Sequence, residues 1–371
     1  MRGVAVLGST GSIGCTTLAV LRRHPDRFRL VALTAGSNAD LLRRQIAEHR
    51  PRYAAVVEAA SANGLPAGTA SLLEAATHPE ADIVVNAVVG FAGLEATLAA
   101  LGAGKRVALA NKESLVVAGE LVRQALLEGG GELVPVDSEH SAVLQCLTGR
   151  IALPRRLILT ASGGPFRDWP WERLARATIA EALNHPTWRM GHKITVDSAT
   201  LANKAMEVIE AHHLFGLGYD AVEVVVHPQS IVHAFVEFTD GSVLGQLGFP
   251  SMELPILYAL THPERLDDDG VRRFDPLQAT PLTFEPLRHE VFRAFACGVQ
   301  AGRAGGTAPA VFNAANEVAV AGFLQGAIPF GRIAHLIEQV LERHPTAPLR
   351  RLEDVKAADA WARLEARSLL E

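Results

Sequence analysis

Asp137 and Glu139 stand one residue apart, with Ser138 between them and His140 after them, directly behind the apolar run Leu133-Val134-Pro135-Val136. The run reads as the end of a buried strand. If the backbone stays extended through Glu139, both carboxylates point to one side, because side chains alternate along a strand. Two ionised carboxylates held together repel each other. A hard divalent cation such as Mg²⁺ or Mn²⁺ removes that repulsion and prefers oxygen ligands. A polar loop at a strand end is the plain alternative. A second set lies downstream, where residues 201–215 have helical spacing. Asn203 and Glu207 are four apart and Lys204 and Glu207 three apart, so all three share one face. That spacing ordinarily means a solvated Lys–Glu pair. The alternative is that Ser198, Asn203 and Lys204 hold a phosphate while Glu207 completes a metal site with Asp137 and Glu139. Three further stretches carry polar groups: Asn111-Lys112-Glu113-Ser114, Ala161-Ser162-Gly163-Gly164-Pro165-Phe166 and Asn184 to Gly191. The first is a helix cap or a site turn. The second is a plain Gly-Pro turn or, through its successive N–H groups and the Ser162 hydroxyl, an oxyanion cradle. The third carries His185, Trp188 and Met190, as a lid over a substrate or as anchors on the core.

These groups need elements to hold them. Gly3 to Leu7 reads as a short apolar strand, followed by Gly8-Ser-Thr-Gly11-Ser-Ile-Gly14 and then helical spacing from Cys15 to Arg23. Strand, glycine turn and helix form a unit whose helix N-terminus can hold a phosphate through free N–H groups. The spacing is G-x-x-G-x-x-G, not the simplest G-x-G-x-x-G, and turn geometry alone also calls for glycine. A second strand, Arg29 to Thr34, ends at Ala35-Gly36-Ser37-Asn38. NAD sites place an acid near here for the ribose 2′-hydroxyl. The next acid, Asp40, falls in the following helix start, and hydroxyl and amide groups suit a 2′-phosphate, which favours NADP over NAD. Strands at 53–57, 83–89 and 106–110 alternate with helical patterns. That rhythm predicts an α/β, doubly wound parallel sheet with ligands at the C-terminal strand ends, where residues 111–114 and 137–140 both lie.

Past Leu147 the pattern becomes α+β. Strands are expected at Arg156 to Thr160, Val222 to Val226 and Ile231 to Phe238, with a hairpin at Asp240-Gly241 before Ser242 to Leu247. Residues 263–290 hold four prolines and Asp267-Asp268-Asp269 and read as a linker. From Val291 the spacing is helical, at about Val291–Arg303, Ala308–Gln325, Arg332–His344 and Asp354–Leu370, which predicts a small helical bundle. The division is therefore 1–137, 138–262, a linker at 263–290 and 291–371. A length of 371 residues suits two or three domains, and a net charge of −5 argues against a general nucleic-acid binder. Cys15, Cys146 and Cys297 are odd in number and far apart, which points to reduced thiols and a cytoplasmic protein. The glycine turn comes too early for a signal-peptide apolar region, and no apolar run approaches the ~18 residues of a membrane helix.

In this order the stretches resemble the 1-deoxy-D-xylulose 5-phosphate reductoisomerases. The resemblance is carried by Gly8 to Gly14, Ala110-Asn-Lys-Glu-Ser-Leu115, Pro135-Val-Asp-Ser-Glu-His140, Ser162-Gly-Gly-Pro-Phe166, His185-Pro-Thr-Trp188, Val196-Asp-Ser-Ala-Thr200, Asn203-Lys204, His227-Pro-Gln-Ser230 and Asn313-Ala-Ala-Asn-Glu317. It implies a metal-dependent isomerisation of 1-deoxy-D-xylulose 5-phosphate, then reduction by NADPH to 2-C-methyl-D-erythritol 4-phosphate, in non-mevalonate isoprenoid synthesis. It implies a homodimer with a Rossmann-type N-terminal sheet, a central catalytic and dimerising domain and a C-terminal helical bundle. By resemblance Asp137, Glu139 and Glu207 hold Mg²⁺, Mn²⁺ or Co²⁺. Ser162, Ser198, Asn203 and Lys204 bind the substrate, chiefly its phosphate. Lys112, Ser138 and Glu139 meet its hydroxyl and carbonyl end, and His185 and Trp188 cover it. Thr10, Gly11, Ser12, Ile13, Gly36, Ser37, Asn38, Asn111, Glu113 and Gly191 surround NADPH, with Ser37 where some members carry a lysine. Two other readings stay open: another two-domain NADP dehydrogenase, which needs no carboxylate trio, and a nucleotide-sensing regulator that performs no chemistry.

Overall fold

A computed structural model describes residues 1–62, 64–149, 154–279 and 281–370. Contacts divide the chain into two compact units, one of Met1–Ser114, Leu121–Leu144 and Ser251–Arg273, the other of Leu115–Glu120, Gln145–Pro250 and Phe274–Glu371.

The first unit is built on six strands: β1 (Arg2–Leu7), β2 (Phe28–Ala35), β3 (Tyr53–Val56), β4 (Ile83–Asn86), β5 (Arg106–Leu109) and β6 (Glu132–Pro135). Their order is β3-β2-β1-β4-β5-β6 and every pair is parallel. Val4 to Leu7 and Ile83 to Val85 are buried on both sides, the mark of a sheet covered on both faces. Strand order reverses between β1 and β4, which opens a crevice at their C-terminal ends. β4 stops at Asn86, three residues short of the expected Val89. The Asn86 amide donates to Gly93 O and Thr97 Oγ1, both at 2.8 Å, and its Oδ1 accepts the Val88 N–H at 3.3 Å, which turns the chain off the sheet. The helix Ser12–Arg23 packs on Glu253–Thr261. The segment after that second helix is tied down by Asp268, which meets Arg23 Nε at 2.8 Å and His24 Nε2 at 2.9 Å.

The second unit holds β7 (Arg156–Ala161), β8 (Val222–Val226), β9 (Val232–Glu237), β10 (Val243–Leu247) and β11 (Glu285–Pro286), in the order β10-β9-β7-β8-β11. β7 and β8 are parallel; the other pairs are antiparallel. The β9–β10 hairpin turns at the expected Asp240-Gly241, where the Asp240 carboxylate accepts the Ser242 N–H at 2.9 Å. The four expected C-terminal helices are Arg293–Ala304, Ala308–Leu324, Arg332–Arg343 and Leu352–Ser368. Ala308–Leu324 contacts the other three. It is buried on nearly every side, as an almost uniformly apolar helix must be.

Candidate active site

In the first unit the glycine turn divides its labour. Gly8 has φ +79°, and a Cβ there would lie 2.5 Å from Ala87 O; one on Gly14 would lie 2.3 Å from Gly8 O. Those two glycines serve the turn itself. Gly11 has an ordinary φ of −78° and caps the helix Ser12–Arg23 without a side-chain bond. A Cβ on it would meet only Gly8 O, at 3.4 Å. The first-turn N–H groups behind Gly11 lack intrahelical partners and can take a phosphate. Thr10 and Ile13 are half-buried and Ser12 exposed beside it. At the end of β2, Gly36, Ser37 and Asn38 are exposed, and Asn38 caps the next helix by accepting the Leu41 N–H at 3.1 Å.

Asn111 also is a cap, for the helix Lys112–Gly129. Its Oδ1 accepts the Ser114 N–H at 3.1 Å, and its amide donates to Val88 O and Gly90 O at 2.8 Å and to Glu113 Oε2 at 3.0 Å. At 1% exposure the side chain holds the loop after β4 and so shapes the crevice. Lys112, beside it, forms an ion pair with Asp137.

The extended geometry expected from Asp137 to Glu139 does not occur. β6 ends at Pro135 and a helix begins at Ser138. Asp137 Oδ1 accepts the N–H groups of Glu139 at 3.1 Å and His140 at 3.4 Å, so the aspartate is a helix cap, a position that favours aspartate and negative charge. The carboxylates still meet, with ligand oxygens within 4.8 Å of each other, because a helix start rather than strand alternation brings them together. Ser138 Oγ donates to Glu139 Oε2 at 2.5 Å. Two close carboxylates fit a hard divalent ion, and the His140 imidazole, with Nδ1 3.3 Å from Asp137 Oδ1, stands beside them.

In the second unit β7 runs into the turn 162–166. Gly163 and Gly164 take φ +82° and +67°, and a Cβ on Gly164 would lie 2.8 Å from Ser198 O. The turn therefore lies close against the helix His192–Thr200, which no periodic signal marks in the sequence. The Gly164 N–H is engaged by Ser162 Oγ at 3.2 Å. His185 Nε2 lies 3.1 Å from both Ser162 Oγ and Ser198 Oγ. His185 Nδ1 accepts the N–H groups of Thr187 at 3.1 Å and Trp188 at 2.9 Å. The ring proton therefore sits on Nε2, facing the two hydroxyls. Burial pushes the His185 pKa down to about 4, which keeps the ring neutral. Trp188 is half-buried, and exposed Gly191 caps the helix that carries Ser198.

That helix ends at Leu201, held at φ +59°, and the helix Ala202–Phe215 follows. On it Asn203 Nδ2 donates to Glu207 Oε1 at 2.6 Å, while Lys204 pairs with Glu207 Oε2 and donates to Thr160 O at 2.6 Å. The solvated Lys–Glu pair expected from spacing is instead buried, with Lys204 4% and Glu207 1% exposed. The shared face is as expected, but it turns inward. Such a pair is costly to desolvate and is a poor stability device, so a site role accounts for it better. Asp197, fully buried beside Ser198, takes no role from sequence spacing. Its signal was an acid inside an otherwise apolar and hydroxyl run.

Three family models match the chain: 1-deoxy-D-xylulose 5-phosphate reductoisomerase over residues 4–119, its C-terminal domain over 133–215, and a DXP reductoisomerase C-terminal domain over 247–365. A 1-deoxy-D-xylulose 5-phosphate reductoisomerase from Synechococcus sp. is 50% identical over 389 aligned residues, covering 98% of this chain and 96% of that enzyme. The enzyme of the same name from Zymomonas mobilis, solved with NADPH, superimposes with a TM-score of 0.92 at 42% identity, covering 100% of this chain and 99% of that one. A DOX-P reductoisomerase solved with NADPH, fosmidomycin and magnesium gives 0.92 at 39% identity, covering 100% and 98%. With family motifs matched from the first strand to the last helix, and relatives half identical over almost the whole length, the chain belongs to the 1-deoxy-D-xylulose 5-phosphate reductoisomerase family.

Proposed function

We propose that this protein converts 1-deoxy-D-xylulose 5-phosphate to 2-C-methyl-D-erythritol 4-phosphate, isomerising the carbon skeleton and reducing it with NADPH in a reaction that needs a divalent metal. The observation that carries the reading is the likeness over the full chain to enzymes of that name, one of them solved with NADPH and magnesium.

Asp137, Glu139 and Glu207 would hold the ion, Mg²⁺, Mn²⁺ or Co²⁺; when bound it supplies Lewis-acid polarisation of a carbonyl and its neighbouring hydroxyl. The chain's own groups do the rest. Ser162, Ser198, Asn203 and Lys204 seat the phosphate, which lies away from the reacting carbons and so lends binding energy to orientation. Lys112 and Ser138 face the hydroxyl and carbonyl end. His185, whose Nε2–H faces the Ser162 and Ser198 hydroxyls, is placed to donate a hydrogen bond to the substrate. Trp188 and its loop keep water from the hydride path. Gly11 with Thr10, Ser12 and Ile13 seats the pyrophosphate of NADPH; Gly36, Ser37 and Asn38 face its ribose phosphate; Glu113 and Gly191 complete its surroundings.

We assign cofactor binding to residues 1–137, catalysis and dimerisation to 138–262 apart from the returning helix Glu253–Thr261, and a helical bundle to 291–371 after the stretch 263–290. A cytoplasmic homodimer is part of the reading. Support for the dimer comes from β10, an edge strand that is largely accessible, with Val243 exposed on it. Bare edges of this kind are normally covered. The test is NADPH oxidation with 1-deoxy-D-xylulose 5-phosphate, with EDTA and with added Mg²⁺ or Mn²⁺, and product identification by mass. Turnover lost in EDTA and restored by metal is expected. Turnover indifferent to metal would point to a different dehydrogenase, and cofactor binding without product to a regulator.

A further inference from the structure

The Asn313-Ala-Ala-Asn-Glu317 motif lies in the buried helix Ala308–Leu324, where the proposed chemistry leaves it unused. Asn316 is fully buried in that helix, and its Nδ2 donates to Asp197 Oδ1 at 2.7 Å. Lys193 Nζ meets the other oxygen of Asp197 at 3.0 Å, one turn earlier on the helix His192–Thr200. The motif is braced within itself, Asn313 Nδ2 donating to Glu317 Oε1 at 3.1 Å, and from outside, Arg363 Nη2 donating to Glu317 Oε2 at 2.6 Å. Asp197 is thus tied on one side to a helix that is itself pinned. A side chain fixed at Asp197 fixes the rotation of its helix about its axis. It thereby sets where the next residue, Ser198, points, about 100° further round. Ser198 Oγ is half of the hydroxyl pair that His185 bridges.

We propose that Asn316, acting through the buried carboxylate of Asp197, is a positioning residue that sets the Ser198 hydroxyl for the substrate phosphate. This rests on the reading of Ser198 as a phosphate contact. The C-terminal helix then belongs to the specification of the substrate site as well as to the core. A small rotation at Ser198 weakens phosphate binding without touching the reacting carbons or the nucleotide.

The experiment measures KM for the sugar phosphate, the inhibition constant of inorganic phosphate, kcat and NADPH affinity. Asn316→Leu is expected to raise KM and the phosphate constant about ten-fold, with kcat and NADPH affinity nearly unchanged. The exchanged pair Asp197→Asn/Asn316→Asp restores a donor–acceptor bond with its direction reversed but gives up the Lys193 pair, and is expected to recover part of the loss in KM. Should Asn316→Leu fail to fold, Asn316→Thr, which keeps a donor on a shorter arm, is read in the same way. A purely structural role would lower melting temperature and kcat while leaving KM and the phosphate constant unmoved, and would overturn the proposal. Ser198→Ala separates the two layers. If it weakens phosphate binding and the Asn316 variants do not, the positioning claim falls alone. If it leaves phosphate binding intact, the phosphate reading falls and the positioning claim with it.

Discussion

Glu207 shows how much one residue's surroundings decide. Its carboxylate is buried and held by Asn203 and Lys204, so it is prepared before any ligand arrives. Glu207→Gln keeps the shape and removes the charge an ion needs. Turnover should fall by at least about 100-fold, consistent with several kcal/mol of lost polarisation, with the NADPH dissociation constant nearly unchanged. Assays over a metal titration, with cofactor fluorescence alongside, check this; a variant retaining most of its activity would remove Glu207 from the ligand set. His185 makes a separate prediction. Burial lowers its pKa to about 4, against 6.5 for the exposed ring. Between those values the unfolded chain holds the proton and the folded chain does not. Its contribution to stability is therefore complete above about pH 6.5 and is lost as pH falls toward 4. In the ligand-free protein the His185 ring resonances should titrate near pH 4, and a midpoint near 6.5 would contradict the neutral buried ring.

At the scale of elements, the glycine turn after β1 assigns folding and the proposed cofactor binding to different glycines. Gly14→Ala would press a Cβ to 2.3 Å from Gly8 O and should lower the melting temperature together with cofactor affinity. Gly11→Ala meets little and keeps a φ open to any residue. It should leave the melting temperature within a degree or two while weakening NADPH by roughly ten-fold, since the added methyl stands at the helix end proposed for the phosphate. Calorimetry and cofactor titration on both variants decide it; equal effects at the two sites would place no phosphate at Gly11. The elements themselves were largely legible. The six parallel strands and four C-terminal helices follow from apolar runs and helical spacing. The helix starts at Lys112 and Ser138 did not, because a cap is a local bargain between one side chain and two or three N–H groups, and periodicity does not register it. The helix His192–Thr200 escaped because its Thr and Ser residues break any amphipathic stripe.

At the scale of the whole molecule, the accessible edge strand β10 predicts association. Sedimentation at micromolar concentration should report twice the chain's mass. A charged substitution at exposed Val243, Val243→Lys, should shift the mass toward the monomer while leaving the far-ultraviolet circular dichroism unchanged. A monomeric wild-type protein would refute this reading of the edge. The returning segment 251–273 illustrates what sequence order hides. Composition assigns it partly to the middle of the chain and partly to a linker, yet Glu253–Thr261 packs on the helix after the glycine turn and Asp268 is locked to Arg23 and His24.

The sequence by itself determined the chemistry on offer: which side chains carry carboxylate, ammonium, hydroxyl and imidazole groups, how they are spaced, and the parallel sheet and helices that carry them. These are local properties, set by residue type and by periods of two and 3.6. Tertiary structure alone decided which of those groups are dry. The inward turn of the Lys204–Glu207 face, the tautomer of His185 and the bond from Asn316 to Asp197 depend on what packs against each helix from distant parts of the chain, and spacing carries no record of that.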